Sequence, residues 1–339
     1  MTRAPTRTNT GHDHTLTAPS RVLAALVRGI GRLLSACPAP CLALVARFLA
    51  FIWFHLIPVR RKVALQNLES AFGETLSRAE RTRIARRMGY HLALNYLEFL
   101  TLPFLDRPRL ISKFQWEGRH HLENARAKGH GVLVLCAHIG AFDLLAAAAA
   151  AEGLPLHIVS RTPRSPLARE IWMGYRAAAG IRILPERGSV FAVLRALRQG
   201  HIVVFMLDQN MHADRGVFVQ FFDRPACTLD SLAVLALRTR APVIPVFTRR
   251  LSPRRHLVRC LPEVTGNING GQHARIVAMT QTFTHLIEAE VRTTPDQWLW
   301  VHRRWKTQPP KRLPRADGSE HELPETPGQA QHPSSSNIP

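Results

Sequence analysis

Two residues of this chain, His138 and Asp143, are of the types that together abstract a proton. A neutral imidazole can accept the proton of a hydroxyl, while a carboxylate orients the ring and stabilises the imidazolium. Their spacing alone is weak evidence, because a chain with 17 His and 24 acidic residues repeats it by chance at His285 and Glu290. That second pair lies in one predicted helix, about 140° apart around the axis, so its side chains cannot meet.

The elements around His138 are more informative than the spacing. The apolar run 131–138 predicts a buried strand, an Ile-Gly pair allows a turn, and the alanine-rich stretch 141–152 predicts a helix. Asp143 then falls in the first helical turn, where free N–H groups favour a carboxylate. In open α/β sheets, sites form at the carboxyl ends of strands. We therefore predict a general base with its orienting acid; the alternative is a capping aspartate beside an unrelated histidine.

Strand-like and helix-like stretches alternate from about residue 129 onwards, which predicts an α/β fold with helices on the faces of a sheet. The strand-like runs are GVLVLCAH, LHIVSR, HIVVFMLDQ, VFVQFF and PVIPVFTRR. The helix-like stretches between and after them are 141–152, 165–179, 189–199, 229–240 and 274–293. Residues 63–102 are predicted to be helical as well, from the spacing of their apolar residues.

The composition predicts an anionic partner and a reducing environment. The formal net charge is +21, which favours a phospholipid surface, a phosphorylated substrate, an acidic protein or nucleic acid. The five cysteines are widely spaced and form no Cys-x-x-Cys pair, so neither a disulfide framework nor a zinc site is expected, and the compartment is predicted to face the cytosol. The chain has no serine elbow and no phosphate-binding glycine loop with lysine, and no metal or cofactor is expected.

The chain is predicted to have four parts: a disordered tail at 1–18, a membrane-anchoring helical segment at 19–60, a main domain at 61–306 and a disordered tail at 307–339. The anchoring segment contains CLALVARFLAFIWFHLI, with Arg47 as its one charge, and a basic cluster follows at 60–62. Such a run is short for a spanning helix. A transmembrane helix, an in-plane anchor and a soluble core helix all remain open.

A series of blocks in the same order resembles the lipid A late acyltransferases, the lauroyl/myristoyl transferases within the lysophospholipid acyltransferase superfamily. The resemblance covers about residues 20–306. Its blocks are VRRKVALQNLESAFG (59–73), CAHIGAFD (136–143), SRTPRSPL (160–167), LRQGHIVVFMLDQN (197–210), GVFVQFFDRPACT (216–228), LALRTRAPVIPVF (235–247) and WLWVHRRWK (298–306). The resemblance implies a glycerol-3-phosphate/lysophospholipid acyltransferase-like mixed sheet flanked by helices, with an N-terminal membrane-associated helical segment and an acyltransferase domain at 61–306.

The resemblance also implies site residues. The family's His-x4-acid motif falls on His138 and Asp143, so these two are the expected catalytic residues. The expected substrate-binding residues are Arg161, Arg164, Arg187, Asp208 and Gln209; Arg176 matches the family more loosely. The arginines would clamp acceptor phosphates. One departure is visible at residue 223, where the family's Phe-Phe-Gly reads Phe-Phe-Asp, and aspartate suits a positive φ less well than glycine.

The implied reaction is acyl transfer from an acyl thioester, expected to be that of an acyl carrier protein, to a hydroxyl of a lipid A precursor. His138 would be the general base. The implied location is the cytoplasmic face of a bacterial inner membrane, among membrane lipids. The sequence leaves open coenzyme A as donor, the chain length, and another acceptor such as a lysophospholipid, ornithine-type lipid or glycolipid. A basic nucleic-acid-binding protein is a remote alternative, without a matching fold signature.

Overall fold

A computed structural model of the chain describes residues 18–186, 188–265, 269–310, 312–314 and 320–322. Four helices come first: α1 (Ala18–Ala36), α2 (Ala39–Phe51), α3 (Arg61–Phe72) and α4 (Arg78–Thr101). A π-helical turn, Ile52–Leu56, extends α2. The predicted helical stretch 63–102 is thus two helices, because the chain turns after Gly73 and Ser77 starts α4 with a capping box to Glu80.

A mixed seven-stranded sheet forms the centre of the molecule. Its strands are β1 (Phe114–Glu117), β2 (Val132–Cys136), β3 (Leu156–Ser160), β4 (Arg182–Pro185), β5 (Ile202–Met206), β8 (Val243–Ser252) and β9 (Arg255–Cys260). The strand order is β1-β9-β8-β2-β5-β3-β4, and only the pairing of β8 with β9 is antiparallel. The α/β class with a mixed sheet, expected from the sequence, is confirmed.

Helices cover both faces of this sheet. They are α5 (Arg107–Ile111), α6 (Arg119–Ala127), α7 (Phe142–Ala151), α8 (Pro166–Ala178), α9 (Val190–Arg198), α10 (Ser231–Thr239) and α11 (Gln272–Thr293). Alternate residues of β2 point to opposite faces. Leu133 and Leu135 pack with residues of α9, α10 and α11, whereas Val132 and Val134 pack with residues of α6 and α7. A strand buried on both sides accounts for the continuous apolar run in the sequence.

The run VFVQFF does not join the central sheet. It forms β6 (Gly216–Phe221), which pairs only with β7 (Arg224–Leu229) in a hairpin. Both residues of the two-residue turn have positive φ, 53° at Phe222 and 55° at Asp223. Aspartate tolerates this region better than most residues, so the hairpin turn forms without the family's glycine. The turn is also held from outside, because the Phe222 N–H donates to Glu288 and the Arg292 guanidinium lies 4.4 Å from the Phe222 ring.

The N-terminal helices are half packed and half exposed. The side of α2 that carries mainly alanines is buried, and Leu42 and Ala46 on this side pack with Leu94 and Leu97 of α4. The opposite sides of α1 and α2 expose large apolar side chains: Val22, Leu23, Leu26, Ile30, Leu33, Leu44, Phe48 and Phe51. Within the described residues, Ala39–Leu56 is the one helix long and apolar enough to cross a membrane, by length and composition only. Only 28% of that segment is buried, which is little for the core helix of a soluble protein.

The predicted tails lie largely outside the described residues. Residues 1–17 belong to this part, as does most of the chain beyond 310. Two short strands are described in the C-terminal part, β10 (Arg312–Pro314) and β11 (Glu320–Glu322), and they pair antiparallel with each other.

Candidate active site

His138 lies two residues beyond the end of β2, at the carboxyl edge of the sheet. Its partner is Asp208, two residues beyond the end of the neighbouring parallel strand β5. His138 Nδ1 and Asp208 Oδ1 are 2.9 Å apart, and the His138 backbone N–H donates to Asp208 Oδ2 at 2.9 Å. The carboxyl ends of two adjacent parallel strands therefore bring together residues that are 70 positions apart.

The Asp208 side chain is almost completely buried, and both of its carboxylate oxygens take part in hydrogen bonds. Besides the two contacts from His138, its Oδ2 accepts a hydrogen bond from the indole Nε1 of Trp298 at 2.8 Å. Burial alone would raise the pKa of Asp208, but the charge and the hydrogen bonds of His138 outweigh it and hold the pKa at about 2. The carboxylate is thus ionised, and it accepts a hydrogen bond from the Nδ1–H of the imidazole. Nε2 is left as the basic nitrogen of the neutral ring.

The basic nitrogen of His138 faces the open side of the site. Its side chain is 19% exposed, and the amide Nε2 of Gln209 approaches His138 Nε2 to 3.3 Å. Burial by itself lowers the pKa of His138, but the Asp208 carboxylate raises it above its usual value, with a smaller contribution from the charge of Asp143. His138 therefore has the geometry of a general base. Because its pKa is raised, the neutral, basic form dominates only at a pH above that raised value.

The expectation that Asp143 orients His138 is corrected by these contacts. Asp143 lies in the first turn of α7, as predicted, but its Oδ1 accepts hydrogen bonds from Nε and Nη2 of Arg176 on α8, at 2.9 and 2.5 Å. Both side chains of this pair are about nine-tenths buried. Asp143 thus neutralises Arg176, and its effect on His138 acts through charge at a greater distance.

An apolar cavity, partly open to solvent, lies beside these residues. Asp143 and Arg176 are the charged residues among its described lining, and the remainder is apolar, with contributions from β2, β3, β5 and α7. Cys136 also lines it, but burial raises the pKa of its thiol to about 12, so it is protonated and is no nucleophile. The cavity can hold a hydrocarbon chain and offers it almost no polar partner.

Two of the expected phosphate-binding arginines, Arg161 and Arg164, follow the carboxyl end of β3 on an exposed surface, here called the rim. Arg161 is largely exposed and forms a two-fold ion pair with Glu186, in which Nη2 lies 3.1 Å from Oε1. Arg215, which precedes β6, also reaches Glu186, at 3.0 Å. Arg164 is exposed, and the structure gives it no ion pair within the described ranges. Arg187 lies outside the described residues.

Several residues near the site have roles that the sequence did not reveal. The expected substrate contact of Asp208 is replaced by its contact with His138, while Gln209 does border the open side. Trp298 positions Asp208 through its indole N–H. Arg304 is buried and donates to the Cys227 carbonyl at 2.8 Å. The sequence did contain one signal for Asp208. This residue lies at the end of the strand-like run that forms β5, the neighbour of β2.

Backbone donors complete the arrangement. Helix α7 begins at Phe142 without a side-chain cap, so the N–H groups of its first turn have no partner among the described residues. In the described part of the chain, no group of three or more His, Cys, Asp or Glu residues is placed to hold a metal ion. A base, a held carboxylate, an apolar cavity and free amide donors are the groups that acyl transfer to a hydroxyl needs.

Comparison with known proteins agrees with this class of enzyme. The family model for bacterial lipid A biosynthesis acyltransferase matches residues 9–307. The chain therefore belongs to the bacterial lipid A biosynthesis acyltransferase family, and it is an O-acyltransferase of that type.

The relatives in this family are distant. The lipid A biosynthesis acyltransferase of Haemophilus influenzae is 24% identical over 76% of this chain and 79% of its own. The lipid A biosynthesis myristoyltransferase of Escherichia coli is 24% identical, over 80% of this chain and 81% of its own. The lauroyltransferase of the same bacterium is 23% identical, over 74% and 80%. Among solved structures, the 1-acyl-sn-glycerophosphate acyltransferase of Thermotoga maritima is 13% identical, covers 76% of this chain and 96% of its own, and has a TM-score of 0.34.

Proposed function

We propose that this protein transfers a fatty acyl chain from an acyl carrier protein thioester to a hydroxyl of a lipid A precursor, with His138 as the general base. The observation that supports this most is the geometry of His138. Its Nδ1 is held by the ionised Asp208, and its Nε2 is turned to the open side beside an apolar cavity. Asp208 replaces Asp143 as the orienting acid in this proposal.

The reaction begins when the acceptor hydroxyl replaces the Gln209 amide at Nε2 of His138. Nε2 takes the hydroxyl proton as the oxygen bonds to the thioester carbonyl carbon, which gives a tetrahedral oxyanion. The carbonyl then reforms, the C–S bond breaks, and the imidazolium returns its proton to the departing thiolate. Asp208 stays ionised and stabilises the imidazolium. General-base help of this kind is worth about 10²–10⁴ in rate.

The oxyanion would be bound by the free N–H groups at the start of α7. They follow His138 by three and four residues, at Ala141 and Phe142, and the helix dipole adds to their positive potential. The acyl chain would lie in the apolar cavity, since each buried methylene gains about 0.8 kcal/mol. Asp143 would keep Arg176 neutralised at the wall of this cavity and add negative potential near the imidazolium.

The acceptor phosphates would bind at the rim. Arg161, with Arg164 beside it, offers guanidinium groups on the exposed side, and Arg161 can bind a phosphate bidentately. Because Glu186 already occupies Arg161 and Arg215, a phosphate would displace it there. Arg187 is proposed for the same role from the sequence alone.

The protein would act on the cytoplasmic face of a bacterial inner membrane. The exposed apolar side chains of α1 and α2 form a lipid-facing surface, and the basic cluster 60–62 follows it directly. An in-plane anchor is favoured over a spanning helix, because one side of α2 packs along α4, which carries many arginines and could not enter the bilayer core. The five free cysteines suit a reducing compartment.

The test is an assay with purified protein in detergent. Labelled acyl carrier protein thioesters of several chain lengths, and the matching coenzyme A thioesters, are offered to a tetra-acylated lipid A precursor. The wild type should transfer the acyl chain, and His138→Ala should lose about 10²–10⁴ in rate while it stays folded. Near-wild-type turnover by His138→Ala would contradict the role of the base. Transfer only to a lysophospholipid, ornithine-type lipid or glycolipid would overturn the proposed acceptor.

A further inference from the structure

The helix that supports the N-terminal anchor also reaches the loop that carries His138. Asn95 projects from α4, and its Nδ2 donates a hydrogen bond of 2.6 Å to the backbone carbonyl of Gly140. Its Oδ1 accepts a hydrogen bond of 2.6 Å from Nη2 of Arg250 on β8. Arg250 in turn pairs with the buried carboxylate of Glu98, one helical turn further along α4. Asn95, Glu98 and Arg250 all lie outside the family blocks given above.

The orientation of the Asn95 amide follows from its partners. A guanidinium can only donate hydrogen bonds and a carbonyl can only accept them, so the amide oxygen must face Arg250 and the amide nitrogen must face Gly140. Both carboxylate oxygens of Glu98 are engaged by basic groups, Arg250 at 2.5 Å and His256 at 3.4 Å. The buried ion pair therefore fixes the side chain of Asn95, and Asn95 fixes the Gly140 carbonyl.

The hydrogen bond to the Gly140 carbonyl also sets the direction of the N–H group in the same peptide unit, that of Ala141. In a planar trans peptide, the carbonyl of Gly140 and the N–H of Ala141 point in opposite directions. Because the carbonyl points to α4, the N–H of Ala141 points away from α4, and the described residues provide no hydrogen-bond partner for it. The Ala141 amide is one of the two proposed oxyanion donors.

The backbone conformation at Gly140 is restricted by its surroundings. Gly140 has a φ of 60°, and a Cβ there would collide with the backbone carbonyl of Thr248. Its N–H donates to the backbone carbonyl of Gln297 at 3.1 Å. Gly140 is thus held at its N–H by Gln297 and at its carbonyl by Asn95, and only the second contact sets the rotation of the Gly140–Ala141 peptide group.

We propose that Asn95 is a positioning residue of the acyl transfer: by holding the Gly140 carbonyl, it aims the Ala141 N–H at the oxyanion. The catalytic part of this inference rests on the proposed function, whereas the hold on the loop does not. Asn95 touches no reacting atom, so its removal acts on the transition state through the loop and leaves the acceptor rim and the base with its carboxylate in place.

Two substitutions separate the contact with the loop from the contact with Arg250. Asn95→Ala removes both hydrogen bonds. Asn95→Asp keeps an acceptor for Arg250, and even adds an attractive charge, but it loses the donor to Gly140. A matched control is Gln281→Glu, because the Gln281 amide also donates to a backbone carbonyl, that of Gln220 at 2.9 Å, on the β6–β7 hairpin.

Transfer kinetics should show a loss in kcat. A misdirected oxyanion donor lowers kcat by about 10- to 100-fold in both Asn95 variants, with the acceptor KM little changed. The melting temperature should fall more in Asn95→Ala, which leaves an Arg250 donor unpaired, than in Asn95→Asp. The pH midpoint of the rate should stay in place, because Asp208 still holds His138. Gln281→Glu should retain wild-type kcat. Wild-type kcat in Asn95→Asp would overturn the inference, since the contact with Arg250 would then suffice.

A second measurement does not depend on turnover. Amide hydrogen exchange over residues 138–145, followed by mass spectrometry, should be faster in both Asn95 variants than in the wild type and in Gln281→Glu. Unchanged exchange in that segment would refute the hold on the loop, whatever the activity. If the wild type transfers no acyl chain while the exchange differs as expected, the proposed function fails and the positioning of the loop by Asn95 stands.

Discussion

The protein holds anionic side chains in two contrasting ways. At the carboxyl edge of the sheet, Asp208 is buried, takes three hydrogen bonds and has no open side. At the rim, Glu186 is 15% exposed and pairs with Arg161, whose side chain is 71% exposed. A buried, saturated carboxylate keeps one geometry because any other would leave donors unpaired. An ion pair with a solvent-exposed arginine is screened by water and gains little free energy. The first arrangement suits an orienting acid, and the second suits a place where a charged ligand comes and goes.

Among substitutions that test this comparison, Asp208→Asn should have the largest effect on kcat. Asparagine keeps the size but removes the charge that stabilises the imidazolium, and we expect kcat to fall by about 10²-fold or more. The wild-type rate should rise with pH through a midpoint above 6.5, since only neutral His138 is a base and its pKa is raised. Without the anion the pKa falls, so the midpoint should move to lower pH. A pH–rate profile of both proteins checks this, and an unmoved midpoint would contradict the role of Asp208.

Asp143→Asn distinguishes the two buried carboxylates. It leaves Arg176 buried without its counter-charge, and breaking such a pair completely costs about 3–5 kcal/mol of unfolding free energy. We expect a lower melting temperature and a smaller loss of kcat than in Asp208→Asn, with a smaller move of the pH midpoint in the same direction. Thermal unfolding and the pH–rate profile measure both effects. A larger midpoint shift than in Asp208→Asn would return Asp143 to the role of orienting acid.

Substitutions at the rim should have the smallest effects, and two of them should change the acceptor KM in opposite directions. Arg161→Ala should raise the acceptor KM by about 5-fold, as expected for one exposed ion pair. Glu186→Gln removes the competing carboxylate and should lower the acceptor KM by about 2- to 3-fold, with kcat unchanged in both variants. Initial rates against acceptor concentration test the pair. Equal KM values in both variants and the wild type would mean that acceptor phosphates do not bind here.

Much of the fold followed from local patterns. The helix predicted at 141–152 is observed at Phe142–Ala151, and those predicted at 165–179 and 274–293 agree within two residues at each end. The strand-like runs were found because a strand buried on both faces is apolar throughout. By contrast, VFVQFF has the same pattern but forms a separate hairpin, because periodicity says which side chains are buried and does not say against which element.

The site followed from the sequence only in part. His138 was located by its place after a strand, and the block resemblance correctly identified the family. Asp143 was chosen as its partner because it is near in sequence, whereas the partner in space comes from the end of the adjacent strand. Strand order depends on long-range packing, and no local spacing encodes it. The same applies to Asn95, whose contact with Gly140 depends on how α4 crosses the sheet edge.

The sequence by itself determined the class of fold and the family and singled out His138, since each of these rests on residue types and on short-range periodicity. Tertiary structure alone decided which carboxylate orients His138, which one neutralises Arg176, and which amide holds the loop between them. The physical reason is the same in all three cases. A buried polar group must find a hydrogen-bond partner among the groups that packing brings within about 3 Å, and those groups come from distant parts of the chain.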